Sequence, residues 1–413
     1  MVMERLFRLM AEKKASDLFV SVGSPINIKI NGVAIPVNQQ RLDAASVEAL
    51  VREILSERQW NEFVERRELN TGYSVRDVGS FRVNVFQQRG SPGCVIRYIP
   101  GDIPRFADLN LPPVLTELIM EKRGLVLVVG STGSGKSTTL ASMIDYRNEN
   151  RSGHILTFED PIEYTFSNKR SIVNQRQIGT DTESLAIGLK NAMRQAPDCI
   201  LIGEIRDMET MSAAIAYAQS GHLVLATLHA NNANNALNRI VNFYPPDNRR
   251  VLLSDLAASL KAVISQRLIR AADGGRIPAV ELLLNTRHVA ELIEQGRLSD
   301  VKEAMEKSLA PGSQTFEQAL VKLVQDKRIG REDALANSDS PTNLLWMLEN
   351  TGAGNAGAGA EPPKAAEPTD PALALPSLQT APINRPPAAA PAPRPASNPA
   401  QESPSFSEFL LNV

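Results

Sequence analysis

The stretch Gly124-Leu125-Val126-Leu127-Val128-Val129-Gly130-Ser131-Thr132-Gly133-Ser134-Gly135-Lys136-Ser137 decides the fold. Its first half is an uninterrupted apolar run of strand length, and its second half matches G-x-x-x-x-G-K-[ST] with Lys136 opening a helix, so the segment reads as strand, loop, helix. Glycines let a loop wrap closely around the β- and γ-phosphates of a nucleotide and aim its N–H groups inward, and the helix N-terminus adds partial positive charge. Gly130, Ser131, Thr132, Gly133, Ser134, Gly135, Lys136, Ser137 and Thr138 are therefore the nucleotide-binding candidates. Lys136 would neutralise phosphate charge and the Ser137 hydroxyl would ligate Mg²⁺. The competing reading is a glycine-rich turn, but from average residue frequencies such a string arises in roughly one or two chains of this length in a hundred.

Outward from the loop, apolar runs at 125–129, 154–159, 199–203, 223–227 and 277–284 alternate with segments of helical period, which predicts a parallel sheet covered on both faces. Beyond Leu284 the pattern turns helical, from Arg287 to Ile329. Upstream, a helix to about Lys14, short strands at 17–22 and 26–30, one or two amphipathic helices over 46–66, and period-two strands at 73–75, 79–86 and 94–99 predict a small α+β domain. Pro100-Gly101-Asp102-Ile103-Pro104 breaks both periods. The expected organisation is an N-terminal domain over 1–99, a linker over 100–105, an ATPase domain with C-terminal helices over 106–350, and a tail over 351–413. That tail holds 13 of the 27 prolines, too many for a packed core, and reads as disordered; its Phe406-Ser407-Glu408-Phe409-Leu410-Leu411 could dock or simply fray.

Composition excludes several classes. With a net charge of −2 and both signs interspersed there is no basic field to follow a phosphate backbone, so no nucleic-acid partner is expected. Cys94 and Cys199 are the only cysteines, which leaves neither a disulfide framework nor a four-thiolate zinc site and suits a reducing cytoplasm. The N-terminus reads as an amphipathic helix and not a signal peptide, and no apolar run approaches the roughly 20 residues of a membrane span. Membrane association would go through a partner, with no direct insertion.

Two acidic segments complete the site. Phe158-Glu159-Asp160-Pro161-Ile162-Glu163 follows the 154–159 strand, and a carboxylate beyond the C-terminal end of a parallel strand lies at the ligand-binding crevice of such sheets. Pro161 stops the strand and holds the carboxylates in a turn. Cys199-Ile200-Leu201-Ile202-Gly203-Glu204 has the Walker B form, an apolar strand ending in an acid. Glu204 would hold Mg²⁺ directly or through water, and either Glu163 or Glu204 could activate the attacking water; a buried structural acid is the bland alternative, and a costly one. His222 and His229 bracket the 223–227 strand and point from opposite ends, so they cannot share a metal ion. His229 lies at the phosphate end, as a γ-phosphate sensor or subunit contact, whereas His222 reads equally well as a core histidine.

Together GSTGSGKST (130–138), LTFEDPIEY (156–164), ILIGEIRD (201–208) and SGHLVLATLHANNA (220–233) resemble, in order and spacing, the type II/IV secretion ATPase superfamily, over residues 1–345. The resemblance implies a homohexamer with a PAS-like N-terminal domain and a RecA-like ATPase domain, using ATP and Mg²⁺. The absence of an extra N-terminal domain and a tetracysteine module is similar to the pilus retraction branch, PilT and PilU, which implies pilus retraction and twitching motility from the cytoplasmic face of an inner-membrane platform protein. It also implies that Arg82 and Arg97, which by themselves read as solvent-facing, reach the phosphates from the N-terminal domain at the subunit interface. The PilT pattern AIRNLRE is replaced here by Thr286-Arg287-His288-Val289-Ala290-Glu291-Leu292-Ile293-Glu294-Gln295, which points to a PilU-like accessory motor working with a PilT-type paralogue. An ATP-binding structural adaptor with little turnover is the alternative.

Overall fold

In a computed structural model, residues 2–30, 32–100 and 103–350 are described; the predicted tail with its 406–411 motif, and part of the predicted linker, lie outside them. The N-terminal unit opens with α1 (Val2–Glu12), whose Leu6, Phe7 and Met10 fall on one face and are buried. It continues through β1 (Asp17–Val20), β2 (Asn27–Ile30), β3 (Val33–Pro36), α2 (Ala44–Ile54), α3 (Glu57–Arg66), β4 (Glu68–Val75), β5 (Gly79–Gln88) and β6 (Ser91–Pro100). The strands form one antiparallel sheet in the order β3-β2-β1-β6-β5-β4. Its apolar face packs under α1 and α2, with Phe7 stacked on Phe81 at 4.2 Å between ring centroids. The β5–β6 hairpin turns at Arg89-Gly90, tighter than the gap left between the predicted strands at 79–86 and 94–99, because both residues take positive φ.

The second unit runs through α4 (Val114–Met120), β7 (Gly124–Val129), α5 (Lys136–Asn150), β8 (Gly153–Glu159), β9 (Ser171–Gln177), α6 (Leu185–Ala192), β10 (Cys199–Ile202), α7 (Met208–Gln219), β11 (Leu223–Leu228), α8 (Ala233–Asn242), α9 (Arg249–Ser259), β12 (Leu260–Arg270) and β13 (Arg276–Leu284). Five helices close it: α10 (Arg287–Glu294), α11 (Val301–Glu306), α12 (Phe316–Gln325), α13 (Arg331–Ala336) and α14 (Pro341–Asn350). The sheet order is β13-β12-β7-β11-β10-β8-β9, parallel except for β13, which returns antiparallel to β12. Side chains alternate between faces along a strand. Leu125, Leu127 and Val129 of β7 accordingly enter a core with α7 to α11, while Val126 and Val128 enter the opposite core with α4 and α5.

Three strands differ from the sequence reading. β3 and β9 are edge strands: β3 is four exposed residues, Val33 to Pro36, with no polar alternation, and the polar second half of β9, Asn174 to Gln177, masks its period. β12 follows α9 with no intervening turn residue, and its buried Leu260, Val263 and Ile264 satisfy a helical period as well as a strand. The return of β13 across β12 also adds an antiparallel edge to the expected parallel sheet. No helix among the described residues is long and apolar enough to cross a membrane.

Candidate nucleotide site

Because β7, β8, β10 and β11 are parallel neighbours, the segments that follow them emerge along one edge of the sheet. These are the 130–135 loop, the 159–163 turn, Gly203-Glu204 and His229. The loop is built on backbone that only glycine adopts freely, with φ of 154° at Gly130, 78° at Gly133 and 91° at Gly135. A Cβ at Gly130 would sit 2.6 Å from the Gln266 carbonyl oxygen, and one at Gly135 2.7 Å from Gln266 Nε2. Ser131, Thr132 and Gly133 are exposed at the loop's crest, and Ser134 is buried beneath it. Lys136 Nζ donates to the carbonyls of Gly130 and Ser131, both at 2.9 Å. Burial pulls its pKa below the usual lysine value, while Glu204 and Glu163 push it back up, so both carboxylates act on this ammonium. Ser137 is half-buried beside it, and Thr138 Oγ1 lies 2.9 Å from the Tyr164 hydroxyl, joining α5 to the segment after the acidic turn.

Glu204 is held from two sides: Arg206 Nη2 lies 2.6 Å from Oε2, and His229 Nε2 lies 3.2 Å from Oε1. The backbone beneath is locked, since Gly203 N donates to the Phe158 carbonyl at 2.8 Å, Ile205 N donates to the Thr227 carbonyl at 2.9 Å, and the Thr227 hydroxyl donates to the Gly203 carbonyl. A Cβ at Gly203 would come 3.0 Å from the Phe158 carbonyl oxygen, so the glycine lets β10 and the acidic turn approach.

The acidic turn divides its labour. Burial raises the Glu159 carboxyl, and the Thr157 hydroxyl and Gln175 amide that donate to it, at 2.6 and 3.2 Å, only partly offset this. Glu159 thus braces β8 against β9. Glu163 faces outward, and Arg82 Nη2 of the N-terminal sheet donates to its Oε1 at 3.0 Å. Arg82 and Arg97 are direct partners in the β5–β6 register, but Arg97 Nε instead donates to Asp17 Oδ1 at 3.0 Å. Arg82 thus reaches the acidic turn within one chain. His222 lies half-buried at the other end of β11, its Nδ1 3.2 Å from the Tyr217 carbonyl oxygen and its ring edge-on to Tyr217.

Sequence reading passed over Arg206 and Gln266. Arg206 stood within ILIGEIRD, where only its distance from Glu204 could have signalled a part. Gln266 was hidden because β12 itself was not recognised. A hydroxyl from Ser137 and a carboxylate oxygen from Glu204 form a hard-oxygen donor set that fits Mg²⁺, which takes one or two protein ligands and completes its shell with phosphate and water.

Residues 10–276 match the family described as type II/IV secretion system protein. The chain belongs to that family. It is 47% identical over 350 residues to the type IV pilus ATPase PilU of Pseudomonas aeruginosa, covering 84% of this chain and 92% of that one. Against the type IV pilus retraction ATPase PilT of the same organism, identity is 38% over 339 residues, covering 82% and 98%. The crystal structure of the pilus retraction motor PilT with bound ADP superposes with a TM-score of 0.78 at 41% identity, covering 83% of this chain and 98% of that one. The family member therefore falls in the PilT/PilU branch, on the PilU side, with the α/β fold of a RecA-like ATPase domain behind a PAS-like domain.

Proposed function

We propose that this chain is a Mg²⁺-dependent ATPase that supports type IV pilus retraction as a PilU-type accessory motor. It would work as a homohexamer beside a PilT-type paralogue, on the cytoplasmic side of an inner-membrane platform protein. The observation that carries the ATPase reading is the convergence of a glycine-built phosphate loop with Lys136, Ser137, Glu163, Glu204, His229 and an N-terminal-domain arginine at one sheet edge. The relatives' names support the pilus role.

Lys136 would exchange its two loop carbonyls for the β- and γ-phosphates, and the loop N–H groups would hold the remaining charge. Ser137 and Glu204 would hold the metal, which when bound neutralises phosphate charge. Whichever of Glu163 and Glu204 orients water must first be freed of a cation, Arg82 in one case and Arg206 with His229 in the other. A fixed guanidinium such as Arg82 that moved from Glu163 to the γ-phosphate would then stabilise the charge developing there. Arg97 belongs to the same face of the N-terminal sheet and would have to leave Asp17 to follow. Closure of one domain on the other converts that exchange into motion.

Turnover by the purified chain tests this directly. Lys136→Ala and Glu204→Gln should each lower turnover by about 100-fold or more while circular dichroism stays native, the scale expected when a group acting on the transition state is lost. An inactive wild type, together with pilus retraction unaffected by Glu204→Gln, would leave the adaptor reading in place of the motor. Retraction measured with and without the paralogue decides the accessory role.

A further inference from the structure

We infer that Gln266 is a positioning residue of the phosphate-binding loop: its backbone carbonyl packs against the loop's first glycine, and its side chain packs against the last glycine and ties down the first turn of α5. The inference rests on the ATPase reading above. β12 runs parallel to β7 with Ser265 opposite Val129, so Gln266 is carried just past the last residue of β7, level with the start of the loop. There it is only 3% exposed. Its backbone carbonyl oxygen closes off the space above Gly130, its side-chain amide nitrogen closes off that above Gly135, and its Oε1 accepts from the buried Thr139 hydroxyl at 2.7 Å. The six-residue loop is thereby packed closely at its first and last glycines and tied by one hydrogen bond a turn into the helix.

The grip matters because the crest, Ser131 to Gly133, is exposed and phosphate affinity depends on where its N–H groups point. A fixed buried amide defines that geometry in a way that apolar packing does not, since its hydrogen bond has one direction. Alternation along β12 turns the flanking residues to the other face. Ser265 donates to Glu281 Oε1 at 2.8 Å, Glu281 accepts from Ala233 N at 2.6 Å, and Arg267 donates to the Asn231 carbonyl at 3.2 Å. The strand thus seats the phosphate loop on one face and the segment following His229 on the other. On the loop's face Leu268 packs beside Gly135, and Gln266 supplies the hydrogen bond to Thr139.

The test compares the full chain with Gln266→Met, which keeps length and packing but removes the amide, and with Thr139→Val, which removes the partner hydroxyl. In both, KM for ATP should rise about tenfold, with kcat changed less than about threefold, because what is lost is the geometry of nucleotide binding. The stabilisation of Tm by a fixed concentration of ADP should shrink in step, a readout independent of turnover. The double variant should be no worse than either single one, since both remove the same bond. A purely packing role predicts unchanged KM in Gln266→Met, and that result overturns the proposal. Should Gln266→Met fail to fold, an unchanged KM in Thr139→Val overturns it equally. Failure of the wild type itself to bind ADP would strike the ATPase reading and not this one.

Discussion

Glu281 is a carboxylate buried to 4% exposure, on the strand at the edge of the sheet, with no part in the chemistry proposed above. Burial pushes its pKa to about 7, with hydrogen bonds from Ala233 N and Ser265 opposing the rise, Asp339 adding to it and Arg267 working against it. A carboxyl held above its unfolded value keeps its proton longer in the folded state. Its contribution is complete below the unfolded value near 4.5 and is lost as pH rises through about 7, a change of about 3 kcal/mol. Chemical denaturation between pH 4.5 and 8 should therefore show stability falling with pH, and Glu281→Gln should flatten the profile; an unchanged slope in the variant would show the proton is not taken up there. Such a residue was not legible in the sequence. Gly130 to Thr138, Glu163, Glu204 and His229 could be read because each stands at a fixed offset from an apolar strand. Glu281 and Gln266 matter through neighbours 48 and 127 positions away, which no local pattern reports.

At the level of elements, the strands that carry the site were readable because a strand buried on both faces is a continuous apolar run bounded by glycine or acid. The structure adds the strands on either side of them. β12 was missed because eleven residues of mixed apolar and polar character after a helix fit two periods, and the choice between them is made by pairing with β7, not by the segment itself. The outer ends of β12 and β13 are covered by α12 to α14, a small core around Phe316 and Leu320. Arg267 lies 3.9 Å above the Phe316 ring, so the strand that seats the phosphate loop is also anchored to this cluster. α12 depends on a capping box in which the Thr315 hydroxyl accepts from Gln318 N at 3.3 Å and Thr315 N donates to Gln318 Oε1 at 2.9 Å. Thr315→Val preserves shape and removes the hydroxyl acceptor, and should cost about 1 kcal/mol in denaturant unfolding. ATP turnover at low temperature should be unaffected, because the cap touches no residue of the loop.

For the whole molecule, the decisive contact is the one between domains. Arg82 and Glu163 are both partly exposed, so their ion pair contributes little to stability, on the order of 0–1 kcal/mol. Its value lies in position: it joins the N-terminal sheet to the turn beside the phosphate loop within a single chain. Close approach continues nearby, where a Cβ at Gly72 would meet the Gln177 side chain that accepts from Ile162 N at 3.3 Å. A site completed within one chain and a site shared between neighbours make opposite predictions for mixed rings. Arg82→Ala and Glu163→Gln should each lower kcat strongly and leave Tm almost unchanged, and Arg82→Lys should not restore activity, since an ammonium lacks the planar fork. When the two inactive variants are unfolded together and reassembled into mixed rings, a shared site would recover activity wherever an intact Arg82 of one subunit faces an intact Glu163 of the next. With Arg82 and Glu163 supplied by the same chain, no subunit of the mixture carries both, and turnover should stay at the level of the separate variants at every mixing ratio. Recovery that peaks near equal mixing would show that assembly draws the N-terminal domain away from its own chain's turn and onto its neighbour's.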